Sequence, residues 1–445
     1  MWRNWAGDQQ CLPARSERPG TIDELRRVVA GAANDGLTVR AAGSGHSFTD
    51  IACTDGVMLR LEGLNRVLDA DGETGLVKVE AGIVLRDLSE ALWQRGLALP
   101  SLGDIDVQTV AGAISTATHG TGPRFGNISA QVEGVELVLA DGTVHEVARD
   151  SDPDTLRAAR VSLGSLGVLA TVTLRAVPAF VLRRHDYTAP LDETLANLEE
   201  LIARNRHFEL YAFPHTDVAM CRETTEHDAD PPRERPLAEW TQDVLLENHV
   251  FGTFMRVARR FPSRIPQISR LVTRAAGSSI KVAPSYKVFS TRRHVRFTET
   301  EYAVPRADGP EALRRVLEMI ERRGYAVPFP IEMRFVGPDD AHLSTAYGYD
   351  TCYIAVHMFN GMIWEPYFRA VESIMDSYGG RPHWGKRHFQ SAATLAPRYP
   401  EWDRFQEIRS RLDPGGVFQN EYSQRVLGPL RGRSEEAASL AAVGR

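Results

Sequence analysis

Paired cysteines, long apolar runs and a strong charge of either sign are all missing from this chain of 445 residues. Cys11, Cys53, Cys221 and Cys352 are scattered, and no two form a C-x-x-C pair. Reduced thiols in a reducing compartment are therefore expected, not a disulfide framework. With no run of about 18 apolar residues, no membrane-spanning helix is expected. Met1-Trp2-Arg3-Asn4-Trp5 has no apolar signal core, so the expected location is the cytoplasm. The net charge of −6 is mild for this length and argues against a general nucleic-acid binder. There is no internal repeat, and no metal-ligand set is assigned. A hydrophobic content of 43% with 25% charged residues belongs to an ordinary globular protein, and the length suggests two domains.

Helix and strand signals mix through the first half, which indicates an α+β fold. Thr21-Ile22-Asp23-Glu24 is a capping box, and the helix it opens has the apolar stripe Ile22, Leu25, Val28, Val29 and Ala32 before Gly36 ends it. Leu37–Arg40, Val57–Leu61 and Leu76–Glu80 read as strands and Val84–Arg95 as a helix. Val135–Val147 reads as a hairpin around Asp141-Gly142, and Leu169–Val177 as a strand ended by Pro178. Helices are expected over Leu191–Arg204, Gly309–Arg323, Glu365–Tyr378 and Glu401–Leu412, and strands over Phe297–Val304 and Tyr353–Phe359. In Ile331–Phe335, alternation puts Ile331, Met333 and Phe335 on the core face. Glu332 and Arg334 then share the other face, as an exposed ion pair or as the floor of a polar site. From Met255 to Phe297 there are eleven Lys or Arg residues and no acid. That stretch is either a solvated basic face or a contact for an anionic membrane surface or an electron-accepting partner.

Two stretches are built for a ligand. Arg40-Ala41-Ala42-Gly43-Ser44-Gly45-His46-Ser47-Phe48 is a strand end running into a glycine-bracketed turn. Gly43 and Gly45 let a ligand approach the main chain, and successive turn amides form a concave anion site. A phosphate suits this loop, but His46 is more than a phosphate needs. Phe48 stands where a dinucleotide fingerprint has its third glycine, no helix pattern follows, and a Walker loop is absent. Glu62 stands at about the spacing of a ribose-binding acid. In the second stretch, Thr109 to Gly122, small residues and hydroxyls dominate, so something flat or extended is expected to lie against it. Pattern alone reaches a phosphate-bearing ligand and stops there.

Gly43-Ser44-Gly45-His46-Ser47 with Asp50-Ile51-Ala52-Cys53-Thr54-Asp55-Gly56 resembles the FAD-binding segment of the sugar-1,4-lactone oxidases, within the vanillyl-alcohol-oxidase-type flavoproteins. The resemblance continues through Val79-Glu80-Ala81-Gly82, Thr118-His119-Gly120-Thr121-Gly122 and Leu163 to Val168. It resumes at Glu332-Met333-Arg334-Phe335, His383-Trp384-Gly385-Lys386, Leu412 to Gly416 and Phe418 to Tyr422. It leaves roughly 215–280 unmatched. It implies a two-domain FAD-binding fold of the PCMH type: residues 1–178 and 376–430 for the cofactor domain, 179–375 for a cap with an antiparallel sheet, and 431–445 as a flexible tail.

The resemblance also implies roles. His46 would carry FAD through a bond to the flavin 8α carbon. Cys53 does not sit where a second, cysteinyl bond would form. The backbone of Ala41, Ala42, Gly43, Ser44, Gly45 and Ser47 would hold the diphosphate. Thr109, Gly112, Ser115, Thr118, His119, Gly120 and Gly122 would lie along the cofactor, Gly167 and Val168 against its adenine half, and His383 near the flavin; for His388, His119 and Thr109 a site role and a packing role both stay open. Glu332, Arg334 and Lys386 resemble the substrate-side acid and bases, with the proton acceptor open between Lys386 and Arg334. Ala117, where good oxidases of the family often have glycine, would place a methyl near the flavin and favour a dehydrogenase. The implied reaction is hydride transfer from the C2 hydroxyl of an aldono-1,4-lactone to flavin N5, with O2 or another acceptor reoxidising the flavin. The alternatives are an alditol oxidase acting on polyols, a non-catalytic nucleotide-binding protein, and an NADPH-using reductase, which would lack the His383-Trp384-Gly385-Lys386 segment.

Overall fold

The computed structural model describes residues 1–231, 251–291 and 295–430. The expected tail from residue 431 lies outside the described residues, as do Arg292 and Arg293 of the basic stretch. The helix Ile22–Asn34 opens as its capping box predicts. Thr21 accepts the Glu24 amide at 3.2 Å, and Glu24 reaches back to the amide of Gly20 at 2.8 Å. This helix covers a parallel three-stranded sheet in which Val57–Arg60 lies between Arg15–Glu17 and Val39–Ala42. A five-stranded antiparallel sheet follows, in the order Val144–Ala148, Val132–Val138, Val168–Arg175, Leu76–Glu80, Val67–Ala70. Gly142 turns its hairpin at φ 80, as the Asp-Gly pair predicts.

The second half builds one eight-stranded antiparallel sheet. Its order is Ser279–Pro284, Val181–Pro190, Val218–His227, His207–Ala212, Ile331–Val336, Thr351–Phe359, Phe297–Pro305, Arg381–Pro382. Helices Gly309–Arg323 and Glu365–Asp376 cover one face, and Leu313, Val316, Ile320, Phe368 and Val371 pack there against Ile331, Met333 and Phe335. The chain then returns. Trp384, Leu395, Phe405, Tyr422 and Val426 join the same core as Val77, Val79, Leu88 and Val172. Arg40 ties this return to the first loop: its guanidinium is buried and donates to the carbonyls of Ile51, Leu163, Gly164 and Phe418. Burial pulls its pKa down to about 10.

Three departures from expectation have physical reasons. Val110–Ser115 is a short helix, capped by Thr109, despite its lack of bulk. The expected helix 191–204 is two, Leu191–Ala196 and Leu198–Arg204, broken at Asn197. Strand Val181–Pro190 was not read at all, because its inward positions Leu182, Arg184 and Asp186 include a buried ion pair, Arg184 to Asp186 at 3.1 Å, in place of apolar alternation.

Candidate active site

The glycine-bracketed turn leaves strand Val39–Ala42 and bends under the helix Val110–Ser115. The two walls meet tightly: a methyl on Gly43 would stand 2.5 Å from Thr109 Oγ1, the atom that caps that helix. Gly45 adopts φ +73, where an L side chain is strained. Among the described residues, no hydrogen bond uses the amides of Gly43, Ser44, Gly45, His46 or Ser47. Five consecutive donors thus line one side of a cleft of about 990 Å³. Thr109, Gly112, Ser115 and Thr116 line the opposite side, and Leu163, Gly167, Val168 and Phe418 close the far end. Unpaired turn amides against small residues suit a diphosphate.

The cleft continues into a second chamber of about 720 Å³, since His46, Ser47, Gln108 and Thr116 line both. Gln108 donates to Thr118 Oγ1 at 3.1 Å and leaves its buried carbonyl oxygen without a protein partner, an acceptor facing this passage. The inner chamber is floored by three strands of the large sheet. Ile331–Val336 brings Glu332 and Arg334, on one face as alternation predicts. Phe297–Pro305 brings Phe297, Glu299 and Glu301 at alternate positions. His207–Ala212 brings Glu209 behind Arg334.

Each cation in this chamber is held by carboxylates. Arg334 pairs with Glu332 and donates to Glu209 at 2.8 Å, with Asp104 at 3.6 Å. Burial opposes its charge, but these acids outweigh it and raise its pKa well above the ordinary value. Lys386 pairs with Glu299, and although burial lowers its pKa, Glu299, Glu301 and Asp104 together raise it. Burial pushes Glu299 up, yet Lys386 and His357 hold it down at about 2. Both Lys386 and Arg334 are therefore favoured as cations. Glu301 takes a hydrogen bond from His119 Nε2 at 3.1 Å, while His119 Nδ1 faces the Gly120 carbonyl at 2.9 Å and the ring stacks on Tyr353 at 3.5 Å. His383 Nδ1 accepts the Gly385 amide at 3.0 Å, and burial drops its pKa to about 3. His119, Glu301 and His383 have ligand atoms within 4.8 Å of one another, with His119 and Glu301 hydrogen-bonded to each other. His46 is neutral at ordinary pH: burial and then Lys386 lower its pKa to about 4.

Most residues singled out in the sequence come together here. Ala41 through Ser47, Thr109, Gly112, Ser115, Gly167 and Val168 line the outer cleft, and Thr118, His119, Glu332, Arg334, His383 and Lys386 the inner chamber. Gly120 and Gly122 do not. A methyl on Gly120 would meet the Leu102 carbonyl at 2.2 Å, and one on Gly122 would meet Phe125 and His207. Both are packing glycines. Glu62 pairs with Arg60 at the surface, and His388 packs against Trp384 and Tyr422 outside both chambers. Ala117 is fully buried in the core between Thr116 and Thr118, which line the inner chamber. Sequence reading missed Glu299 and Glu301, although Phe297-Thr298-Glu299-Thr300-Glu301 shows acids on one strand face. Asp104 and Gln108 lie in a loop and gave no periodic signal.

Residues 172–426 match the model of the D-arabinono-1,4-lactone oxidase family, and residues 13–148 match that of an FAD binding domain. The chain is 53% identical over 431 residues to an L-gulono-1,4-lactone dehydrogenase of Mycobacterium tuberculosis, covering 96% of this chain and 99% of that one. It is 35% identical over 434 residues to an L-gulonolactone oxidase of Mus musculus, covering 96% and 98%. An alditol oxidase of Streptomyces is 32% identical over 450 residues, covering 95% and 98%. Among solved structures, cholesterol oxidase from Brevibacterium sterolicum superposes with a TM-score of 0.79 over 96% of both chains at 20% identity, which shows a shared fold.

Proposed function

The chain belongs to the D-arabinono-1,4-lactone oxidase family, and from that premise we propose that it oxidises the C2 hydroxyl of an aldono-1,4-lactone, such as L-gulono-, L-galactono- or D-arabinono-1,4-lactone. The cofactor is FAD, which when bound supplies a hydride acceptor at N5 and passes the electrons to O2 or another acceptor. The amides of Gly43 to Ser47 hold the diphosphate, and His46 is the covalent tether, its neutral ring a nucleophile near pH 7. Arg334 and Lys386 present fixed positive charge to the substrate oxygen as alkoxide character develops. Glu332 orients Arg334 and takes the hydroxyl proton. The observation that carries this reading is the convergence of two carboxylate-fixed cations on a chamber continuous with the diphosphate loop.

The test is flavin bleaching without oxygen by a panel of lactones and polyols. Lactones should bleach the flavin at least tenfold faster than polyols. Bleaching by polyols alone would establish the alditol reading instead. Glu332→Gln should lower kcat by roughly 10²–10⁴-fold, the usual worth of a positioned acid or base. Flavin that stays with acid-precipitated protein would establish the tether.

A second reading concerns the basic stretch. No helix among the described residues is long and apolar enough to cross a membrane. Helices Phe251–Arg260 and Ile265–Ala275 nevertheless turn Val257 and Leu271 outward at 43% and 69% exposure, with Phe261 between them at 51%, among Arg256, Arg260, Arg270 and Arg274. Apolar residues between outward arginines suit the surface of an anionic bilayer. Pelleting with anionic vesicles at low salt and release at high salt is expected; no pelleting at low salt rules this out.

A further inference from the structure

The first nine residues form a strap over the His46 turn. The Trp5 amide donates to the Gly45 carbonyl at 2.8 Å, Asn4 Nδ2 to the Ser47 carbonyl at 3.0 Å, and Gln9 Nε2 to the Phe48 carbonyl at 3.2 Å. The strap is closed on itself, because buried Asn4 Oδ1 accepts the amides of Gly7, Asp8 and Gln9 at 2.9, 3.0 and 3.0 Å. It leaves no room at the turn: a methyl on Gly45 would lie 3.3 Å from Trp2 Cζ2 and 3.6 Å from Asn4 Cα. On this base the Trp5 indole stacks on the His46 ring, with centroids 5.1 Å apart and planes 23° from parallel. Phe297 and Phe48 pack edge-on against the same indole at 5.6 and 6.4 Å. Among the described residues, no hydrogen bond occupies either ring nitrogen of His46. Stacking, not hydrogen bonding, therefore sets the plane of this imidazole and leaves its nitrogens available.

We propose that Trp5 is a positioning residue for covalent flavin attachment: the strap fixes the His46 ring so that a nitrogen is presented to the flavin 8α carbon. This rests on the tether reading of His46. In the step, a bond forms from an imidazole nitrogen to the 8α carbon, and one 8α C–H and the ring N–H break. The two electrons and two protons released pass by way of the flavin to O2, which leaves as hydrogen peroxide. A ring free to rotate about its side-chain torsions would spend little time in the reactive orientation, which is the usual rate penalty for an unheld nucleophile.

The test compares wild type, Trp5→Phe and Trp5→Leu, each incubated with excess FAD, for the flavin fluorescence that stays with the denatured protein over time. Trp5→Phe keeps a ring face and should attach flavin at close to the wild-type rate. Trp5→Leu should bind FAD and turn yellow, yet attach it at least tenfold more slowly. If Trp5→Leu fails to fold, Trp5→Met, longer and more adaptable but also without a ring face, is read the same way. Attachment at the wild-type rate in either aliphatic variant overturns the proposal. Wild-type flavin released by acid would instead overturn the tether itself, so the two failures are distinguishable.

Discussion

Ala117 carries a backbone angle that glycine adopts freely and alanine does not, φ 56 in a fully buried position. That region costs an L residue about 1–2 kcal/mol. Glycine gives back about 0.4–1 kcal/mol through the freedom it adds to the unfolded chain. Removing the buried methyl costs about 0.8 kcal/mol more, so Ala117→Gly should leave the unfolding free energy within about 1 kcal/mol of wild type, measurable by urea titration. Peroxide formation should be unchanged, because the methyl faces core and not chamber; a rise would show that it reaches the flavin after all. His46 makes a second prediction at this scale. An unperturbed histidine would lose nucleophilicity below about pH 6.5, but burial and Lys386 bring this one to about 4. The rate of flavin attachment should be flat from about pH 5 upward and fall only as the pH drops through 4. A midpoint near 6.5 would mean the ring is hydrated and unstacked.

At the scale of an element, the strand Phe297–Pro305 carries two of the chamber's acids and ties Lys386 in place. Glu299 has a folded pKa depressed from 4.5 to about 2, against the pull of burial, because Lys386 and His357 favour its ionised form. Its contribution to stability is thus present above about pH 4.5 and is lost as the pH falls toward 2. Glu299→Gln should flatten that acid limb of the stability curve. At pH 7 it should cost about 3–5 kcal/mol, the range for removing one partner of a buried ion pair. An acid limb as steep as that of wild type would assign it to other carboxylates, such as Glu209. This strand also shows what a sequence makes legible. Alternation in Ile331–Phe335 placed Glu332 and Arg334 on one face correctly, and the same rule applied to Phe297-Thr298-Glu299-Thr300-Glu301 would have found two more site acids. It could not find Glu209, whose partner Arg334 lies 125 residues away and whose strand pairs with Ile331–Val336 only in the folded sheet.

For the whole molecule, the loop and motif residues were legible because their chemistry is local: turn glycines, small residues against a flat ligand, a capping box. The strands Val181–Pro190, His207–Ala212 and Val218–His227 were not, because their inward faces carry Arg184, Asp186 and Glu209, satisfied only by one another and by residues of distant strands. The site is therefore assembled by two structures that meet, the glycine-bracketed turn with its returning C-terminal segment and the large sheet that floors the inner chamber. A ligand spanning both should stabilise the entire fold by linkage. On the tether reading, that stabilisation in wild type is independent of added FAD. In His46→Ala the cofactor binds reversibly, so the unfolding free energy should rise with FAD by about 2.7 kcal/mol at a hundredfold excess over Kd. Calorimetry across an FAD series would read it. Equal responses from wild type and variant would mean that no tether exists, and a variant whose unfolding splits into two transitions, only one of which rises with FAD, would mean that the cofactor does not bridge the two halves.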